Sequence, residues 1–88
     1  MDHTSEWTIT LFLDEHDDQT TAIARLQTDD NEMTGLGLAR RHPKDIEMPE
    51  IGAELAAARA LSDLAHKLFD ATVGDIETIT RRPAAVRP

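Results

Sequence analysis

The first forty residues of this chain alternate polar and apolar side chains in three short runs, a period of two that suits strands and not helices. In the clearest run, residues 7–13, every second side chain is apolar, and Phe12 points to the opposite face. Two further runs, 20–27 and 33–39, follow after polar turns at 14–19 and 28–31. The sequence therefore predicts a three-stranded antiparallel meander.

A helical pattern replaces this alternation near Pro49, where an alanine-rich segment carries apolar residues at a spacing of three and four. Gly74 is placed to cap the long helix, and Asp75 to start a short C-terminal helix with Ile76 and Ile79 facing inward. The predicted fold class is α+β, with two layers. Its long helix lies across the sheet face that carries the alternate apolar residues of the first run.

Eighty-eight residues suit a single domain, which we place at 1–88 with an ordered core at about 6–80 and a tail at 81–88. The chain has no cysteine, so disulfides and thiolate metal sites are excluded. Its first residues lack the pattern of a signal peptide, and no apolar run is long enough to span a membrane. We expect a soluble, cytoplasmic protein.

The net charge of −8 opposes general attraction to nucleic acid or anionic lipid, and the acidic surplus lies in the first third of the chain. The basic residues near the fold form two groups on either side of the helical region. If the fold brings these groups together, they form a local phosphate-binding or partner-binding patch. The candidates are Arg40, Arg41, Lys44, Arg81 and Arg82.

Catalytic and metal motifs are weak in this sequence. The acidic run 14–18 lacks the ligand spacing of a calcium loop, and we predict no divalent-ion site there. Ser62 and His66 share a helix face, but no oxyanion donors or glycine elbow accompany them. The glycines at 35–37 do not complete a dinucleotide fingerprint. We therefore predict no enzyme, no catalytic residue, no cofactor and no small-molecule substrate.

Four segments resemble a family of small actinobacterial proteins with a fold like that of double-stranded-RNA-binding domains (dsRBD-like). The segments are LDEHDDQTTAIARL, TGLGLARRHP, PEIGAELAAARALSDLAHKLF and DIETIT, and they span about residues 7–83. The resemblance implies a sheet followed by helices and a dimeric assembly. For some members it also implies an association with dormancy or low-oxygen stress and a shape like that of ribosome hibernation factors. It supplies no catalytic motif.

Two functions follow as hypotheses. The first is a non-enzymatic, dimeric stress-response module that contacts the ribosome or RNA through the basic groups. The alternative is an acidic module that binds a basic protein through residues 14–18. A hydrolase using Ser62 and His66 is the least favoured. For the homodimer we expect an interface on the sheet face that the helix leaves bare, where Phe12 and Ile23 lie on neighbouring strands.

Overall fold

The computed structural model describes residues 3–40 and 49–80. These residues form three strands followed by one long helix, in agreement with the predicted α+β class. The elements are β1 (Thr8–His16), β2 (Gln19–Gln27), β3 (Glu32–Arg40) and α1 (Pro49–Thr80).

The sheet is an antiparallel meander with the strand order β1-β2-β3. Partners across an antiparallel sheet point to the same side. The register aligns Phe12 with Ile23 and Ile23 with Leu36, so these three side chains form a row on one face, which we call the open face. Leu11, Ala24 and the residues in register with them lie on the other face, which we call the helix face.

The helix α1 packs on the helix face over β2 and β3, and two glycines of β3 set how closely it approaches. A Cβ atom at Gly35 would overlap the backbone of Ala60 and Leu64, and one at Gly37 would overlap the backbone of Ala56 and Ala60. Because these positions carry no side chain, the helix backbone lies directly on the strand. The core is correspondingly thin, with alanines on both layers. Its buried members are Ala22, Ala24, Leu26, Ala39, Ala56, Ala60 and Leu64.

The first hairpin is longer than the sequence pattern predicted. We expected residues 14–19 to form the turn, but β1 continues to His16 and the turn consists of Asp17 and Asp18. Asp17 takes a positive φ of 56°, which a tight two-residue hairpin turn needs and which aspartate tolerates better than most side chains. Polar residues can occupy this end of β1 because the strand lies at the edge of the sheet, exposed to water.

The short C-terminal helix predicted after Gly74 does not exist as a separate element. The helix α1 runs through Gly74 to Thr80, and no glycine among the described residues has the positive φ of a helix cap. The hydroxyl of Thr78 donates a hydrogen bond to the Gly74 carbonyl oxygen one turn earlier, at 2.8 Å. The backbone of Gly74 keeps a helical, negative φ, so α1 continues through it, and Ile76 and Ile79 stay on α1 and do not fold back over the sheet.

The helix extends well beyond the sheet. Leu68 is the last of its residues to pack against the core, and α1 continues for twelve further residues to Thr80. The radius of gyration is 16.8 Å, whereas a compact domain of this length has one of about 12 Å. Because the helix extends past the sheet, a single copy leaves much of its sheet and helix surface uncovered.

No helix in the described part of the chain combines the length and apolar character of a membrane span.

Candidate interaction surface

The open face carries an apolar cluster that no described element covers. Its members are Phe12, Ile23, Leu36 and Leu38, which we call the open-face cluster. Leu36 is 58 % exposed and Phe12 is 47 % exposed, and Ile23 lies half-buried between them. The guanidinium carbon of Arg25 lies 5.1 Å from the centre of the Phe12 ring, a cation–π contact at the rim of the cluster. Adjacent apolar side chains on a bare sheet are typical of an interface.

A second apolar surface lies on the helix face of β1, where the sequence pattern predicts that the helix covers the strand. Ile9, Leu11 and Leu13, which we call the β1 flank, are all exposed because α1 lies over β2 and β3 instead. The glycines of β3 let the helix pack closely against that strand, so α1 makes far less contact with β1 than with β2 and β3. Our expectation that the helix covers the apolar residues of β1 was therefore wrong.

The outer edge of β3 is blocked by side chains from α1. Asp63 accepts a hydrogen bond from the backbone N–H of Leu36 at 2.8 Å. Arg59 donates to the carbonyl oxygen of Leu38 at 2.6 Å, and Lys67 donates to that of Thr34 at 2.7 Å. These three side chains satisfy backbone groups that would otherwise be open to another strand.

Asp63 is the central member of this edge contact. Its hydrogen bond from the Leu36 N–H lowers the pKa of the carboxyl group below the usual range, and the ammonium group of Lys67, 3.3 Å away, lowers it further. A lowered pKa means that folding favours the carboxylate form. This contribution to stability is present above the pKa of an unfolded aspartate and is lost as the pH falls through the lower, folded value.

We therefore expect Asp63→Asn to weaken the dependence of stability on pH. In the wild type, the free energy of unfolding should fall as the pH is lowered from about 4 towards 2, and the asparagine variant should lose less over that range. Urea unfolding at a series of pH values measures this. Asp70→Asn, on the same helix beyond the sheet, is the control. If the wild type and Asp63→Asn lose the same free energy of unfolding as the pH falls, the result contradicts a lowered pKa for Asp63.

Of the five basic candidates, Arg40 lies within the described residues. Arg40 ends β3 and donates a hydrogen bond to the Gln19 side chain at 3.2 Å. Arg41, Lys44, Arg81 and Arg82 lie outside the described residues. Gly52 lies beside Thr20, at the same end of the sheet as Arg40, and the helix runs from there to Thr80, a distance of about 42 Å.

The remaining sequence candidates form no assembled site. Asp14, Glu15 and His16 lie on β1 and Asp17 and Asp18 in the turn, all exposed. Within residues 3–40 and 49–80, no three potential ligands lie close enough to hold a metal ion. Ser62 and His66 are exposed on α1, and no hydrogen bond between them occurs in the described part of the chain.

The sequence pattern placed Phe12 and Ile23 of the open-face cluster on the bare face, but it did not identify Leu36 and Leu38, the β1 flank or the blocked β3 edge. The signal for the blocked β3 edge was available, because Arg59, Asp63 and Lys67 recur at intervals of four and so lie on one side of the helix. A charged stripe beside a buried alanine stripe indicates a contact with the rim of a sheet. The exposure of the β1 flank depends on which two strands the helix covers. Alternation alone does not specify those strands.

Comparisons with known proteins are consistent with this architecture. A family model described as Rv2632c-like matches residues 5–85. The uncharacterised protein Rv2632c of Mycobacterium tuberculosis is 51 % identical over 75 residues, which cover 85 % of this chain and 81 % of that protein. The uncharacterised protein Mb1767 of Mycobacterium bovis is 47 % identical over 78 residues, covering 89 % and 83 %. The crystal structure of Rv2632c superposes with a TM-score of 0.83 at 46 % identity, covering 94 % of this chain and all of that one.

Proposed function

The chain belongs to the Rv2632c-like family, and we propose that it is a non-enzymatic binding module that acts as a homodimer. The observation that carries this proposal is the amount of apolar sheet surface that α1 leaves bare. The open-face cluster and the β1 flank lie on opposite faces of the same sheet, and both are exposed. Phe12 belongs to the open-face cluster and lies on the same strand as the β1 flank, and it stays an interface candidate together with Ile23.

The shape of the single chain supports self-association. A helix that overhangs its sheet and a core built mainly of alanines give a small buried apolar volume for a chain of this length. Covering a leucine, isoleucine or phenylalanine side chain is worth roughly 1.5–3 kcal/mol. Several such side chains, duplicated across a twofold axis, exceed the cost of association, so a second copy supplies the apolar burial that one copy lacks.

The mass of the wild-type protein in solution tests this proposal. We expect light scattering after size exclusion to give the mass of two chains, about twice 9.8 kDa, at tens of micromolar protein. Dilution should shift the mass towards one chain if the dimer is reversible. A protein that stays monomeric at the highest concentration contradicts the proposal.

The charge of the described residues favours a basic protein partner for this dimer. Residues 3–40 and 49–80 hold fourteen acidic and four basic side chains. Each of the four basic side chains contacts a group of its own chain: Arg25 lies 3.2 Å from Glu32, and the contacts of Arg40, Arg59 and Lys67 are given above. The acidic hairpin end around residues 14–18 is exposed, and its one ion-pair contact among the described residues is between His16 and Asp17, so it can contact a basic surface.

We also propose, as a second candidate, the ribosome contact that the family resemblance implies, in a protein that acts under stress or dormancy. Five of the nine basic residues belong to segments 41–48 and 81–88, which precede and follow α1 in the sequence. A dimer would present each group twice, and duplicated patches bind one surface with higher avidity.

Sedimentation with ribosomes over a salt series tests this second candidate. We expect pelleting at low salt that weakens as salt rises, and a loss of pelleting in the double variant Arg40→Glu, Arg41→Glu, because phosphate contacts release counterions. Absence from the ribosome pellet at low salt contradicts the ribosome role and favours the basic protein partner. Nuclease treatment before a pull-down separates the two, since a protein partner survives the loss of RNA.

A further inference from the structure

The two edges of the sheet differ in a way that points to a docking site. The β3 edge is blocked, because Arg59, Asp63 and Lys67 bind its outward backbone groups. In the described part of the chain, no side chain forms a hydrogen bond with the backbone of the other edge, β1. An exposed edge of nine residues with an apolar centre is a template for another strand unless it is paired or protected.

The alternation of backbone direction identifies the free groups of β1. Leu36 and Leu38 direct their backbone groups outward, so their β2 partners Ile23 and Thr21 direct theirs towards β1. The β1 residues opposite these, Phe12 and Asp14, are therefore bonded inward. The intervening Ile9, Leu11 and Leu13 present their N–H and C=O groups to the outside. The β1 flank thus offers free backbone groups and exposed apolar side chains at the same three positions.

This edge is self-complementary about a twofold axis at Leu11. If two β1 strands pair antiparallel about a twofold axis at Leu11, Ile9 lies opposite Leu13 of the second copy and Leu11 lies opposite its own counterpart. All three outward positions then meet an apolar partner, and Asp14 and Glu15 lie opposite Thr8 and Trp7 of the second copy, away from like charges. A twofold axis one residue later, at Phe12, would instead set Ile9 against Glu15.

We propose that two copies of the chain join through their β1 edges about Leu11 and form one six-stranded antiparallel sheet. This inference rests on the proposed homodimer and specifies its geometry. The two Phe12 side chains then lie diagonally across the twofold axis on the open face, each opposite Thr10 of the other chain. The two open faces become one continuous surface, and the helices lie together on the other side.

Single cysteines test the geometry directly, because the wild-type chain has none. In the proposed register the two Leu11 Cα atoms lie about 5.5 Å apart, within the range of a disulfide. Leu11→Cys should form a covalent dimer under mild oxidation about tenfold faster than Leu38→Cys. These two leucines are a matched pair, since Leu11 is 39 % and Leu38 is 40 % exposed. Phe12→Cys reports the alternative register, and circular dichroism checks that each variant is folded.

A mixture of two variants gives a second measurement that avoids a cysteine on the axis. Ile9→Cys and Leu13→Cys should cross-link to each other, and each alone should do so slowly. Fastest cross-linking through Leu38→Cys would mean stacked open faces and would overturn the edge pairing, and fastest cross-linking through Phe12→Cys would overturn the register. If the wild type is dimeric and none of these cysteines cross-links, the β1 edge pairing is wrong but the proposed homodimer stands. If the wild type is monomeric, the proposed homodimer is wrong as well.

Discussion

Gly37→Ala is expected to remove a large share of the stability of the fold. A Cβ atom at this position would overlap the carbonyl oxygen of Ala56 and the backbone nitrogen of Ala60, neither of which is the flexible end of a side chain. The helix would have to move away from β3 as a whole, which opens the packing of the buried alanines. We expect a loss of about 4 kcal/mol or more, a large share of the typical 5–15 kcal/mol of a small domain.

Thermal and urea unfolding followed by circular dichroism measure this loss, and Gly74→Ala is the matched control. A Cβ atom at Gly74 meets nothing within 4 Å, and the position is helical with a negative φ. The same substitution there should stabilise the protein by about 1 kcal/mol, because alanine is a better helix former than glycine. If both substitutions change stability by similar small amounts, α1 does not lie against β3 as closely as described.

Phe12→Asp should convert the dimer into a monomer. Phe12 is an exposed apolar side chain on the edge strand, next to the proposed twofold axis. The aspartate removes the diagonal contact between the two Phe12 side chains and brings two like charges close together across the axis. We expect the dissociation constant to rise by at least about 100-fold. Ile23→Asp should weaken the dimer less, because β2 lies one strand further from the edge.

Sedimentation equilibrium or light scattering at several concentrations gives these constants. Ile79→Asp is the control for an apolar-to-acidic change, since Ile79 is 81 % exposed on the overhanging end of α1. It should leave the dimer intact. Variants in which Ile23→Asp weakens association more than Phe12→Asp would show that the open faces stack on each other. A Phe12→Asp protein that remains dimeric would place the interface away from β1.

The sequence determined the parts of this fold that depend on neighbouring residues. Alternation with a period of two specified three strands, and the alanine-rich period of 3.6 specified a helix that begins at Pro49. The same alternation placed Phe12 and Ile23 on the face away from the helix, where the register also puts Leu36. Local rules failed at Gly74, where a residue that often ends a helix lies inside one with a negative φ.

Only the tertiary structure decided where the helix lies on the sheet. Gly35 and Gly37 are unremarkable in a strand pattern, yet they let the helix backbone approach β3 and draw it away from β1. That lateral position leaves Ile9, Leu11 and Leu13 exposed, and it lets Arg59, Asp63 and Lys67 reach the β3 edge. Such contacts join residues more than twenty positions apart, and they depend on steric fit between layers, which no local periodicity encodes.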